Sequence, residues 1–138
     1  MPKTEILLEN TNGSLEKIGE PVRADGWYGH IDGLYTLAIY IVNFTGRIAI
    51  EGSISVDPSD DDWFPIKING CNYLQYPMNE SFPTDFNGSG DTGVFGFTFK
   101  ANLVWIRARV VRDYLDVSEN DLDEIANLGI VNKILISR

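Results

Sequence analysis

The residues able to do chemistry in this chain are few and far apart. His30 is the sole histidine, so no multi-histidine metal centre can form, and any Ser-His or Cys-His nucleophile would have to depend on this one ring. It sits beside Trp27 and Tyr28 in the glycine-rich run Asp25 to Gly33, and the chain has no G-x-S-x-G elbow. It reads as a structural or exposed histidine. Cys71 is the only cysteine and follows Asn69-Gly70. Nothing around it marks an activated thiol, and a lone cysteine rules out an intramolecular disulfide framework.

Two further constellations carry a chemical suggestion. Asp57, Asp60, Asp61 and Asp62 supply the oxygens that a hard cation such as Ca²⁺ takes, but their spacing is not that of an EF-hand loop. A solvated turn that keeps a sheet edge from pairing with another sheet accounts for them better. Gly88-Ser89-Gly90-Asp91-Thr92-Gly93 spells the dinucleotide fingerprint. That motif works only between a strand and a helix whose N-terminus holds the pyrophosphate. Here a loop precedes it and a phenylalanine-alternating strand follows, so a surface loop is expected. A glycosidase pair of carboxylates can be remote in sequence, but a chain of 138 residues leaves little room for a deep cleft. No catalytic residue, metal or cofactor is expected.

Composition is that of an ordinary globular domain, and its charge narrows the partners. Apolar residues make up 43% and charged residues 22%, the balance of a folded globular domain. Twenty acidic against eleven basic residues give a net charge of −9, which repels phosphate backbones and anionic lipid. The compact basic stripe Arg107, Arg109 and Arg112 is too small for a nucleic-acid footprint. Neither nucleic acid nor a membrane is expected as a partner. The N-terminal residues lack the long apolar core of a signal peptide, which suggests synthesis in a reducing cytoplasm. The sequons at Asn12, Asn43, Asn79 and Asn87 then carry no sugar.

The elements that would position any site are strands. After Gly46, Ile48, Ile50, Ile54 and Val56 alternate with Arg47, Glu51, Ser53, Ser55 and Asp57, which predicts a half-buried strand with one dry and one wet face. Leu34 to Phe44 is apolar on both faces, predicting a central strand covered on both sides. Asn69-Gly70 predicts a type I′ hairpin between an extended Trp63 to Ile68 and a returning Cys71 to Tyr76. Residues 77 to 93 read as a long irregular connection. Phe95, Phe97 and Phe99 share one face of the next strand, and Val104, Ile106, Ala108 and Val110 one face of the strand after it.

One short helix is expected near 118 to 129, with Ser118 as N-cap and Gly129 at its C-terminal end. A last strand runs from Ile130. With no βαβ rhythm, the fold predicted is an all-β antiparallel sandwich, jelly-roll-like, over residues 34 to 138. Residues 1 to 33 are read as an extended N-terminal arm and loop. Contact residues are expected at Ile6, Leu7 and Leu8 of the arm, which an extended segment would use to add a strand to a neighbour. The amphipathic rings of Trp27, Tyr28 and Tyr76 are the other candidates.

Three segments, NFTGRIAIEGSI (43 to 54), DDWFPI (61 to 66) and FTFKANLVWIRARV (97 to 110), resemble a module of virion structural proteins in tailed bacteriophages of the T4-like and cyanobacterial-phage type. The resemblance covers mainly residues 34 to 112 and supplies no catalytic residue. It implies a β-sandwich located in the virion, as capsid decoration or cement, neck or tail protein. Its implied partners are other virion proteins and further copies of itself. The alternative is a lectin-like module for host surface glycans, stacking sugars on Trp27, Tyr28 or Tyr76.

Overall fold

The computed structural model describes residues 4–11, 14–29, 33–76, 90–115, 117–118 and 120–137. Two antiparallel sheets face each other. The first has the order β1 (Thr4–Leu8), β10 (Ile130–Ser137), β4 (Gly33–Phe44), β8 (Asp91–Ala101). The second runs β2 (Lys17–Ile18), β9 (Trp105–Val111), β5 (Gly46–Ser53), β6 (Phe64–Pro65). There β3 (Val22–Arg23) also pairs with β9, and β7 (Leu74–Tyr76) also pairs with β5. The all-β sandwich read from the sequence is the fold observed. Consecutive long strands change sheet: β4 crosses to β5 at Thr45, whose amide donates to the Leu128 carbonyl at 2.8 Å.

The core follows from the period of two. Tyr35, Leu37, Ile39 and Ile41 of β4 point inward with Ile48 and Ile50 of β5, and they meet Ile106, Ala108 and Val110 of β9 and Ile134 and Ile136 of β10. Each such fully buried aliphatic chain contributes roughly 1.5–3 kcal/mol. Alternation fails at the end of β5. Ile54 and Val56, predicted on the dry face, are 71% and 66% exposed. β5 stops at Ser53 because Leu103 fills the space opposite Gly52, where a Cβ would lie 2.7 Å from its Cδ1. The chain then turns, the Ser55 amide donating to Ser53 Oγ at 3.1 Å.

Three further expectations need correction. Of residues 1–33, those described do not stand apart from the sandwich as an arm: β1 pairs with β10, and β2 and β3 pair with β9. The Asn69-Gly70 turn forms with positive φ at both residues, 54° and 80°, but its arms share only the bridge Ile68↔Cys71. Both arms instead line one edge of β5, because the backbone groups of that edge take them up. The helix, Leu122–Asn127, is capped by Asp121, whose Oδ1 accepts from the Glu124 amide at 3.2 Å. Ser118 Oγ accepts from Asn120 instead.

Candidate functional site

With one core shared between them, the two sheets each keep an outer face, and these faces are the places where this chain can act. The outer face of the four-stranded sheet is built by the outward residues of β4 (Leu34, Thr36, Ala38, Tyr40 and Val42) and their cross-strand neighbours. These neighbours include Lys100, Thr98, Gly96 and Val94 of β8, Leu135 and Lys133 of β10, and Ile6 of β1. The sequence predicts this strand to be covered on both sides. Only its inner side is. Leu34 is 53% exposed, Val42 50%, Val94 59% and Ile6 54%. In a chain with twenty carboxylates, none occupies an outward position in these registers. Some of the polar groups there are paired: Thr36 and Thr98 hydroxyls lie 3.1 Å apart, and the Lys133 ammonium sits 4.7 Å over the Tyr40 ring.

The outer face of the six-stranded sheet has the opposite chemistry. All three tryptophans and four of the six arginines gather there. Arg23 lies 4.6 Å over Trp27, which meets Trp105 at 5.1 Å, and the Trp105 indole N–H donates to the Val56 carbonyl at 2.9 Å. Arg107 pairs with Glu51 at 2.8 Å and lies 4.2 Å over Trp63. Arg47 is held between Tyr73 at 4.4 Å and Tyr114 at 4.0 Å, with its Nε donating to Gln75. Burial pushes the Tyr114 hydroxyl above its ordinary pKa.

Arg112, grouped by sequence with Arg107 and Arg109, is not on this surface. It is fully buried against Phe44, donating from Nη1 to the Gly129 carbonyl at 3.2 Å and from Nη2 to that of Ser14 at 3.4 Å. Desolvation lowers its pKa to about 10. The chain places it there because the residue after β9 leaves the sheet and turns under the β4–β5 crossover, where Gly46 leaves room for its side chain.

The predicted contact residues separate accordingly. Ile6 is exposed on the apolar face, but Leu7 and Leu8 are 1% exposed and belong to the core. β1 alternates, then shifts register between Ile6 and Leu8, so both leucines turn inward. Tyr76 is likewise core, wedged between Phe44 and Phe95. Its hydroxyl meets no hydrogen-bond partner among the described residues, and burial raises its pKa. Trp27 and Tyr28 lie in a 3₁₀ turn, Asp25–Tyr28, at the end of the arginine face. His30 and the segment 77–89, with Gly88 and Ser89 of the fingerprint and the Asn79 and Asn87 sequons, lie outside the described residues, as does Asn12. Asp91 to Gly93 already belong to β8. The Asn43 side chain accepts from the Gly90 amide at 2.9 Å.

Asp62 of the acidic run caps its own turn, Oδ2 accepting from the Ser59 amide at 2.7 Å. No group of three His, Cys, Asp or Glu side chains is placed to hold a metal ion among the described residues. A crevice of 180 Å³ lies between β1 and β2, lined by Leu8, Lys17 and Glu20 among others, and a shallow, open hollow of 600 Å³ lies over Ser118, Asn120 and Asp121 to Asp123.

Arg23, Arg47, Tyr73 and Tyr114 were not singled out together by the sequence, because they come from separate segments that only the sheet brings side by side. The sequence signals of this face were the basic pair Arg107 and Arg109 and the rings of Trp27 and Tyr28. Comparison of the chain with protein-family models, with curated proteins and with solved structures finds no match.

Proposed function

We propose that this protein is a non-enzymatic structural component that works through protein–protein contacts. In keeping with the resemblance carried by residues 43 to 54, 61 to 66 and 97 to 110, its setting is the virion of a tailed bacteriophage, as a decoration, neck or tail protein. The single observation that carries the reading is the apolar, carboxylate-free outer face of β1, β10, β4 and β8. A chain of net charge −9 repels its copies wherever carboxylates face one another, and this face is where that repulsion is absent.

The area is of the right order for a small contact. Strands of 5, 8, 12 and 11 residues, spaced about 4.8 Å apart with a rise of roughly 3.3 Å per residue, give a face of about 570 Å². The smaller specific interfaces bury about 600 Å² per partner. Two copies joined face to face across a two-fold axis would form an isologous contact with the layering of two stacked sheets. The glycan-binding alternative is less well supported, since Tyr76 is in the core and Arg23 covers one side of Trp27.

Sedimentation equilibrium tests the contact: the chain is expected to dimerise, more tightly as salt rises, and the double variant V42K/V94K to remain monomeric with an unchanged far-ultraviolet spectrum. A monomer at all concentrations defeats the self-contact. The virion setting is tested separately by mass spectrometry of purified particles from a host producing this chain. Particles that lack the chain defeat that setting.

A further inference from the structure

The arginine and ring face lies on the other sheet from the surface just discussed, and the proposed function does not use it. Arg107 alone among its arginines has a carboxylate, Glu51. Arg23, Arg47 and Arg109 have no ion-pair partner among the described residues, although acidic side chains outnumber basic ones by twenty to eleven. Among the described residues, folding has therefore left these cations uncompensated in a chain rich in carboxylates.

They are also ordered along a track. Arg107 and Arg109 are two apart on β9 and point the same way. Arg47 pairs with Val111 and Ala49 with Arg109, which makes Arg47 and Arg109 diagonal cross-strand neighbours, with Cβ atoms roughly 7–8 Å apart or less. The Arg47 guanidinium is already immobilised between Tyr73 and Tyr114, with Nε spent on Gln75. The two Nη groups remain, with the planar geometry that grips a carboxylate, and little rotamer entropy is left to lose on binding.

We propose that this face is a docking site for an acidic segment of a partner protein, held by carboxylates on Arg47 and Arg109. Charge complementarity selects that occupant. A polyanion with continuous charge, such as single-stranded nucleic acid, would have to run past the run Asp57, Asp60, Asp61 and Asp62 at the Trp105 end of the track, which lies beside Val56. A short acidic segment needs only the Arg47 and Arg109 end, and it suffers less long-range repulsion from a net charge of −9.

The test uses the full chain with a capped decapeptide alternating glutamate and glycine, in about 50 mM salt, where surface charges are weakly screened. The three tryptophans lie on this face, so intrinsic fluorescence and calorimetry both report binding. Saturable binding is expected. It should weaken at least about tenfold in R47Q/R109Q and severalfold in R109Q, whose side chain makes no described hydrogen bond or ion pair and whose loss leaves folding intact. V42K/V94K should bind like the parent, which separates this site from the self-contact. Equal binding of a glutamine-for-glutamate peptide, or R109Q binding unchanged, overturns the proposal. So does no binding at all, or an oligothymidine of equal charge binding more tightly.

Discussion

The two outer faces of this sandwich have the same backbone pattern beneath them and opposite side-chain chemistry above. On the four-stranded sheet, Leu34, Val42, Val94 and Ile6 stand half open to water, with no layer over them among the described residues. On the six-stranded sheet, rings and guanidinium groups cover one another, as in Arg23 on Trp27, Arg107 on Trp63 and Arg47 between Tyr73 and Tyr114. The second face covers much of its apolar surface from within the chain, using long arginine stems and aromatic bodies, although Ile18 opposite Arg109 stays 52% exposed. The first does not. A face that satisfies itself needs a partner only for its residual charge, whereas a face that does not needs one for its area.

Breaking this contrast starts with β1, the strand whose alternate residues feed both the core and the open face. Deleting residues 1–8 removes the buried Leu7 and Leu8 and uncovers the edge of β10. A loss of about 5 kcal/mol or more is expected in urea unfolding, so a stable, soluble truncated protein would return residues 1–33 to the status of a separable arm. Next in size is a pair on β4. Ile39→Ala, on the inner side and fully buried, should cost about 2–5 kcal/mol. Val42→Lys, three residues away on the outer side, should cost less than about 0.5 kcal/mol in the monomer while weakening dimerisation. Equal costs in dilute protein would mean that the open face is covered within one chain.

A smaller loss than that of Ile39→Ala belongs to the arginine face. Glu51→Gln keeps the shape of the side chain but removes the charge opposite Arg107. A loss of about 1–3 kcal/mol is expected for a charged hydrogen bond at a largely buried pair, with the fluorescence of Trp63 altered. No change in stability would show that stacking, not the ion pair, holds Arg107 in place.

The sandwich was legible because period-two alternation is local: in β8 and β9 a residue's face follows from its parity alone, whereas β10 changes parity where its register shifts between Val131 and Lys133. Both positive-φ residues of the hairpin turn were legible for the same reason. What parity cannot report is whether a second layer exists. β4 reads as doubly covered, since apolar residues on both sides look alike whether the outer side meets another layer or water. Nor does it report where a strand stops. Ile54 keeps the right parity, but Gly52 and Leu103 have already closed the core. Leu7, Leu8 and Tyr76 resembled contact residues for the related reason that an apolar side chain suits an interface and a core equally.

The sequence by itself determined the class of fold, the absence of histidine clusters and disulfides, and the excess of negative charge, because each of these depends only on composition or on spacing along the chain. The tertiary structure alone decided which arginines share a surface, placing Arg23 and Arg47 with Arg107 and sending Arg112 into the core, and which apolar face was left without a cover. Both depend on strands far apart in sequence being set about 4.8 Å from one another by backbone hydrogen bonds, and no local pattern encodes which strand becomes the neighbour of which.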